Sequence, residues 1–144
     1  LHDAPHKDLR RARAAAHSII PTTTGAAKAI TKIFPDLEGK IDGGAIRVPV
    51  SNGSMTEITF NVAEPVSMDK INQAMIESSK LDLKGVLGII NDPIVSIDIV
   101  GSALSSAYDV GLSKSFGKVL KIVAWYDNEA GYSNRLLDLT KKVH

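Results

Sequence analysis

The polar segment after the most apolar stretch of the chain holds the side chains best suited to recognise a small organic ligand. It reads YDNEAGYSNR, from Tyr126 to Arg135, and follows IVAW directly. Asn128 is suited to bind a planar amide, because its side-chain amide offers both a donor and an acceptor. The alternative is that Asp127 or Asn128 only caps the helix that follows. The residues alone leave both interpretations open.

Two other segments carry groups that bind anions. PTTTGAAKA places Thr24 and Gly25 at the predicted start of a helix, where unpaired backbone N–H groups attract an anion or a phosphate. Arg47 lies in a short predicted strand, on the face opposite Ile46 and Val48, and a guanidinium held there can grip a phosphate or carboxylate through paired hydrogen bonds. The alternatives are a threonine-capped helix and an exposed strand arginine.

The opening of the chain is basic. Lys7, Arg10, Arg11 and Arg13 lie close together, as is typical of a solvated loop or of a loop that contacts an anion or a neighbouring subunit. The four histidines do not share metal-ligand spacing on one helix face. We therefore predict no metal site and assign no histidine a catalytic role.

Composition excludes several classes of protein. The 144 residues are enough for one domain with a real core, and a net charge of +1 gives no field for attracting nucleic acid or an anionic membrane. No apolar run approaches the ~18 residues of a spanning helix. The absence of cysteine excludes disulfides and thiol catalysis within this segment. Because the chain begins with Leu1 rather than Met, we expect a piece of a longer protein.

Hydrophobic periodicity predicts helices alternating with short strands. Helices are predicted from Thr24, as the N-cap, to about Phe34, from Ser67 to Ser79, and over about 129–144; strands are predicted at 43–50, 57–62, 86–90, 94–100 and 118–126. Strands joined by short turns favour an α+β fold, with a mixed, mostly antiparallel sheet and helices packed on one face.

Four segments together resemble one enzyme family. RRARAAAHSIIPTTTGAAKAI, GGAIRVPV, LKGVLGI and WYDNEAGYSNRLLDL, in this order and spacing, are similar to the catalytic domain of phosphorylating glyceraldehyde-3-phosphate dehydrogenases of bacterial type. The resemblance implies the C-terminal domain fold of that family. It also implies a glycolytic oxidoreductase that converts glyceraldehyde 3-phosphate, NAD and phosphate to 1,3-bisphosphoglycerate through a cysteine thioester.

The resemblance assigns roles to the residues singled out above. It implies that Thr24 and Gly25 bind phosphate and that Arg47 grips the substrate phosphate, with Arg11 in the basic loop near the anion sites. It also implies that Asn128 binds the nicotinamide carboxamide and that Tyr126 lies beside the nicotinamide pocket.

The resemblance further implies parts that this chain lacks. The nucleophilic cysteine, the base histidine and the dinucleotide-binding domain are expected upstream of Leu1, so the segment alone should be inactive. The whole protein is expected to be a cytoplasmic homotetramer, with the terminal helix packed on the dinucleotide-binding domain. Erythrose-4-phosphate dehydrogenase and a non-catalytic structural or interaction module are the alternatives, and NAD against NADP stays open.

Overall fold

The computed structural model describes residues 3–143, which divide into two compact units at the Ser51–Asn52 bond. The first unit contains a turn-rich opening loop and a two-stranded antiparallel sheet. Its elements are strand β1 (Ile20–Thr23), helix α1 (Ala26–Ile33), a short 3₁₀ helix (Pro35–Leu37) and strand β2 (Gly44–Arg47).

The faces of the β1–β2 ladder are the reverse of those predicted for β2. We expected Ile46 and Val48 on the core side, but Ile46 is 65% exposed and β2 ends before Val48. Ile20 of β1 is the buried residue, at 3%, and it pairs with Arg47. Because paired residues share a face of the ladder, the partner strand decides which side is covered.

The second unit is built on a five-stranded sheet with two helices. Its elements are β3 (Ser54–Asn61), α2 (Met68–Lys80), β4 (Leu87–Ile90), a 3₁₀ helix (Ser96–Ile99), β5 (Ser106–Asp109), β6 (Lys114–Phe116), β7 (Val119–Tyr126) and α3 (Ala130–Val143). The predicted cap of α2 is confirmed, since the Ser67 hydroxyl accepts from the Lys70 N–H at 3.4 Å.

The sheet is mixed and mostly antiparallel, which confirms the predicted α+β class. The strand order is β3-β7-β5-β4, with β6 paired to the first half of β7. Only β4 and β5 run parallel among these pairs. The central strand β7 is therefore held by β3 on one side and by β5 and β6 on the other.

Both faces of the sheet are covered around β5. On one face, the Tyr108 hydroxyl donates to Asn72 Oδ1 of α2 at 2.7 Å. On the other face, Ala107 and Trp125 pack with Ile99. The core of this unit therefore centres on the pairing of β5 with β7.

The predicted strand at 94–100 is wrong. The segment forms the 3₁₀ helix, with the Asp98 N–H donating to the Val95 carbonyl at 3.0 Å. The Asp98 carboxylate also accepts from the Val95 N–H at 2.8 Å. An aspartate that bonds its own neighbouring backbone competes with strand pairing, and this overrides the alternating valines and isoleucines.

Candidate functional site

The candidate site of the second unit lies where β7 ends and α3 begins. The β3–β7 ladder closes with Ser54 opposite Tyr126, two residues before Asn128. Tyr126 is half-buried and Asn128 is exposed. The chain therefore leaves the central strand of the sheet with an accessible side-chain amide.

Ser54 holds the amide of Asn128. The Ser54 hydroxyl accepts from Asn128 Nδ2 at 2.8 Å and lies 3.1 Å from Asn128 Oδ1, to which it can donate. An asparagine amide has two N–H groups and two carbonyl lone pairs. One donor and one acceptor of Asn128 are therefore left for a ligand.

Asp127 fastens the backbone next to Asn128. Its Oδ1 accepts from the N–H groups of Glu129 and Ala130, both at 2.8 Å. Its Oδ2 accepts from Asn52 Nδ2 and from the Gly101 N–H, both at 2.9 Å. The backbone hydrogen bonds, that of Ala130 foremost, lower the pKa of Asp127 from 3.8 to about 2. Asp127 therefore satisfies the start of α3 as a carboxylate, and Asn128 is free for another role.

The turn before Ser54 depends on a glycine. Gly53 has a φ of +88°, and a Cβ at this position would lie 2.5 Å from the Ser96 carbonyl oxygen. Only glycine adopts this conformation without strain and allows so close an approach. The turn places Asn52 against Asp127 and Ser54 against Asn128, so two side-chain bridges continue the ladder past its last backbone pair.

Buried polar contacts hold β7 itself. Trp125 Nε1 donates to Asp109 Oδ2 at 2.9 Å, and the Val123 N–H donates to the Ser113 hydroxyl at 3.0 Å. Burial raises the pKa of Tyr108, so its phenol stays neutral next to Asp109. These contacts fix the strand whose end carries Tyr126 and Asn128.

The anion-binding candidates lie in the first unit, and the N-cap prediction there is wrong. Helix α1 starts at Ala26, and Gly25 occupies the N-cap in the α region. The Thr24 hydroxyl still accepts from the Ala26 N–H at 3.2 Å, which is the N2 contact that an N-cap at Thr24 would make. A Cβ on Gly25 would meet nothing within 4 Å, so the space beside this helix start is open.

Arg47 is exposed, but its register separates it from the helix start. Arg47 pairs with Ile20, and Gly44 pairs with Thr23, the residue before Thr24. Three residues of strand, about 10 Å, therefore lie between Arg47 and the end of the ladder that leads to Thr24.

Arg11 lies in a turn of the opening loop. Its backbone N–H donates to Asp8 Oδ1 at 3.3 Å, and its side chain is exposed. Its neighbour Arg10 lines an open groove of about 430 Å³ together with Thr22, whose hydroxyl is buried without a hydrogen-bond partner among residues 3–143. Arg11 itself does not line this groove.

The described part of the chain contains neither a metal-binding cluster nor a membrane-spanning helix. Across residues 3–143, no group of three histidine or acidic side chains is close enough to hold a metal ion. None of the helices described is both long and apolar enough to cross a membrane.

Comparison with known proteins identifies the family. The family model described as glyceraldehyde 3-phosphate dehydrogenase, C-terminal domain, matches residues 1–128. The chain belongs to the glyceraldehyde-3-phosphate dehydrogenase family. It is 54% identical over 143 residues to the glyceraldehyde-3-phosphate dehydrogenase of Mycolicibacterium smegmatis and 53% identical to that of Mycobacterium avium. It is 50% identical to glyceraldehyde-3-phosphate dehydrogenase 2 of Streptomyces arenae.

The match covers nearly all of this chain but less than half of each relative. The aligned residues make up 99% of the chain, 42% of the two mycobacterial proteins and 43% of the Streptomyces protein. The family assignment confirms the resemblance seen in the sequence.

Sequence reasoning missed the residues that support Asn128. Asn52 and Ser54 lie between the strands predicted at 43–50 and 57–62, and the sequence pattern assigns them no role. Their contacts with Asp127 and Asn128 join residues more than 70 positions apart. The register of β3 against β7 is the signal that locates them, and it follows from pairing rather than from local sequence.

Proposed function

We propose that this chain is the C-terminal part of a glycolytic dehydrogenase that converts glyceraldehyde 3-phosphate, NAD and phosphate to 1,3-bisphosphoglycerate. The observation that carries the proposal is the geometry of Asn128, an exposed amide held at the end of β7 with one donor and one acceptor left for a ligand. Membership of the family supports the same conclusion.

The nicotinamide carboxamide fits the free N–H of Asn128. Ser54 bridges Nδ2 and Oδ1 on one edge of the amide, and the other N–H can donate to the carbonyl oxygen of the carboxamide. In this role Asn128 holds the ring by its carboxamide, and Tyr126 borders the pocket. NAD supplies the hydride acceptor of the reaction when it is bound.

Thr24, Gly25 and Arg47 are proposed to bind the phosphates of the reaction, with Arg11 nearby. The open helix start offers backbone N–H groups to an anion, and Arg47 offers a paired donor at the far end of β1. Two separated anion sites suit a reaction that holds a phosphorylated aldehyde and also recruits inorganic phosphate. The separation along β1 supports two sites better than one.

The nucleophile is proposed to come from outside this chain. The sequence contains no cysteine, so a cysteine thioester requires another segment of the protein.

We also propose that α3 packs on the dinucleotide-binding domain. Exposed apolar side chains along the helix support this, namely Tyr132, Leu136, Leu137, Leu139 and Val143. The whole protein is proposed to be a cytoplasmic homotetramer, as its family suggests.

The function is tested with the full-length enzyme that carries this segment. We expect phosphate-dependent reduction of NAD with glyceraldehyde 3-phosphate, and a higher kcat/KM than with erythrose 4-phosphate. Arg47→Lys should raise the KM for the phosphorylated aldehyde about tenfold and leave the KM for NAD unchanged, because lysine cannot form the paired contact. Lys32→Arg, on the exposed last turn of α1, is the control for a changed cation. An enzyme that reduces no NAD, or does so without phosphate, would contradict the proposal.

A further inference from the structure

The amide of Asn128 needs a fixed orientation in order to bind a carboxamide. An asparagine side chain on an exposed turn rotates about two bonds, and a ligand that binds it must stop this rotation. A neighbour that holds the amide before the ligand arrives lowers this entropic cost. Ser54 is the side chain whose contacts with Asn128 meet this requirement.

The position of Ser54 is itself determined. It is the first residue of β3 and is paired in the ladder with Tyr126, so its backbone is held by the sheet. Gly53 turns the chain against Ser96, and Asn52 is bonded to Asp127. The sheet and the turn therefore fix the backbone of Ser54. The contacts of Asp127 fix the backbone of Asn128.

The contact leaves the binding capacity of Asn128 intact. The single hydroxyl lies 2.8 Å from Nδ2 and 3.1 Å from Oδ1, so it meets both atoms of the amide from one side. Each amide atom retains one further position for a hydrogen bond. A neighbour that bonded both N–H groups would instead have removed the donor that a ligand needs.

We propose that Ser54 is a positioning residue, which orients the Asn128 amide for the nicotinamide carboxamide. This rests on the proposed role of Asn128. Ser54 acts through Asn128 and does not itself contact the ligand in this arrangement. Its effect on affinity should therefore require both the Asn128 side chain and the ligand carboxamide.

The test is the equilibrium affinity of the full-length enzyme for NAD, measured by calorimetry in the absence of aldehyde. Ser54→Ala should weaken the Kd for NAD about threefold to tenfold, the size of effect expected for one lost hydrogen bond. The Kd for the pyridine analogue of NAD, which lacks the carboxamide, should not change. Ser54→Thr, which keeps the hydroxyl, should bind NAD as the wild type does.

A double-mutant cycle separates positioning from a general structural effect. In the Asn128→Ala background, Ser54→Ala should cause no further loss of affinity. Thr59→Val removes a hydroxyl from an exposed position on the same strand and should leave the Kd unchanged. Thermal unfolding of each variant shows whether it is folded.

Three results would overturn the inference. The first is an unchanged Kd in Ser54→Ala while Asn128→Ala weakens binding, and the second is an equal loss of affinity for the pyridine analogue. Either result shows that Ser54 does not act through Asn128. If Asn128→Ala itself leaves the Kd for NAD unchanged, the proposed nicotinamide contact fails, and the role of Ser54 fails with it.

Discussion

The two units of this chain place their candidate residues by different means. In the second unit, Asn128 follows a central strand and lies beside Ser54 and Asp127, which fix its side chain and its backbone. In the first unit, Thr24 and Gly25 border open space, and Arg47 is an exposed residue at the end of a two-stranded ladder. The site at Asn128 is therefore exposed but supported by a hydrophobic core, whereas Thr24, Gly25 and Arg47 belong to a unit built on a two-stranded sheet.

The difference follows from where the apolar residues are buried. Of the seven buried hydrophobic residues in the described part of the chain, only Ile20 belongs to the first unit. A two-stranded ladder with one buried residue is marginal without further packing. The amide site is therefore supported by the core of its own unit, whereas the anion-binding residues lie in a unit with one buried hydrophobic residue.

Hydrogen exchange of the 144-residue chain gives the largest expected contrast between the units. Backbone amides in the centre of β7 should exchange about a thousandfold more slowly than those of β1 and β2, because their opening requires loss of the core. Amide exchange followed by NMR measures each strand separately. Equal protection of the two ladders would contradict this difference in support between the two units.

Gly53→Ala should destabilise the second unit by about 2–4 kcal/mol, since a positive φ and a backbone clash act together. The single tryptophan, Trp125, is buried in this unit, so its fluorescence during urea unfolding reports the loss directly. Gly117→Ala is the matched control. Gly117 also has a positive φ of +58°, but a Cβ there meets nothing within 4 Å.

The control should lose only about 1 kcal/mol, the strain of the backbone conformation alone. An equal loss of unfolding free energy in the two variants would show that Gly53 does not approach the Ser96 carbonyl closely. This approach would then not explain why the backbone of Ser54 is fixed.

Asp127 should make the stability of the second unit depend on pH in acid. Its pKa in the folded chain, about 2, lies below the ordinary 3.8. The folded state therefore binds fewer protons there, and the stabilisation is fully present above about pH 4 and is lost as pH falls toward 2. Asp127→Asn should abolish this component of the pH dependence.

Urea unfolding followed at Trp125 between pH 5 and pH 2 measures the component. Asp92→Asn, at an exposed position in the same unit, should leave the pH profile unchanged. An Asp127→Asn variant with the wild-type profile would mean that the carboxylate does not carry the contacts to Asn52, Gly101 and the start of α3.

Local sequence patterns were enough for most of the elements but not for their pairing. The serine cap of α2 and the apolar run of β7 were predicted within about a residue, because capping and burial leave local signals. The valines and isoleucines of 94–100 gave a wrong strand, since Asp98 bonds its own neighbours. The buried face of β2 was wrong because Ile20, a residue of another strand, decides it.

The candidate site was likewise only partly predictable from local sequence. Asn128 was found from its residue type at the end of a buried strand, and the family resemblance gave it a ligand. Asp127 and Asn128 were alternatives for one role, and the structure gives the cap to Asp127. Ser54 was not found, because its contact with Asn128 depends on the register of two strands far apart in the chain.

The most direct test of this account is a crystal structure of the full-length enzyme with NAD bound. We predict that Nδ2 of Asn128 lies about 3 Å from the oxygen of the nicotinamide carboxamide, with the Ser54 hydroxyl still in contact with the other edge of the same amide. A nicotinamide ring whose carboxamide is bound by other residues, with Asn128 turned away from it, would contradict the central claim.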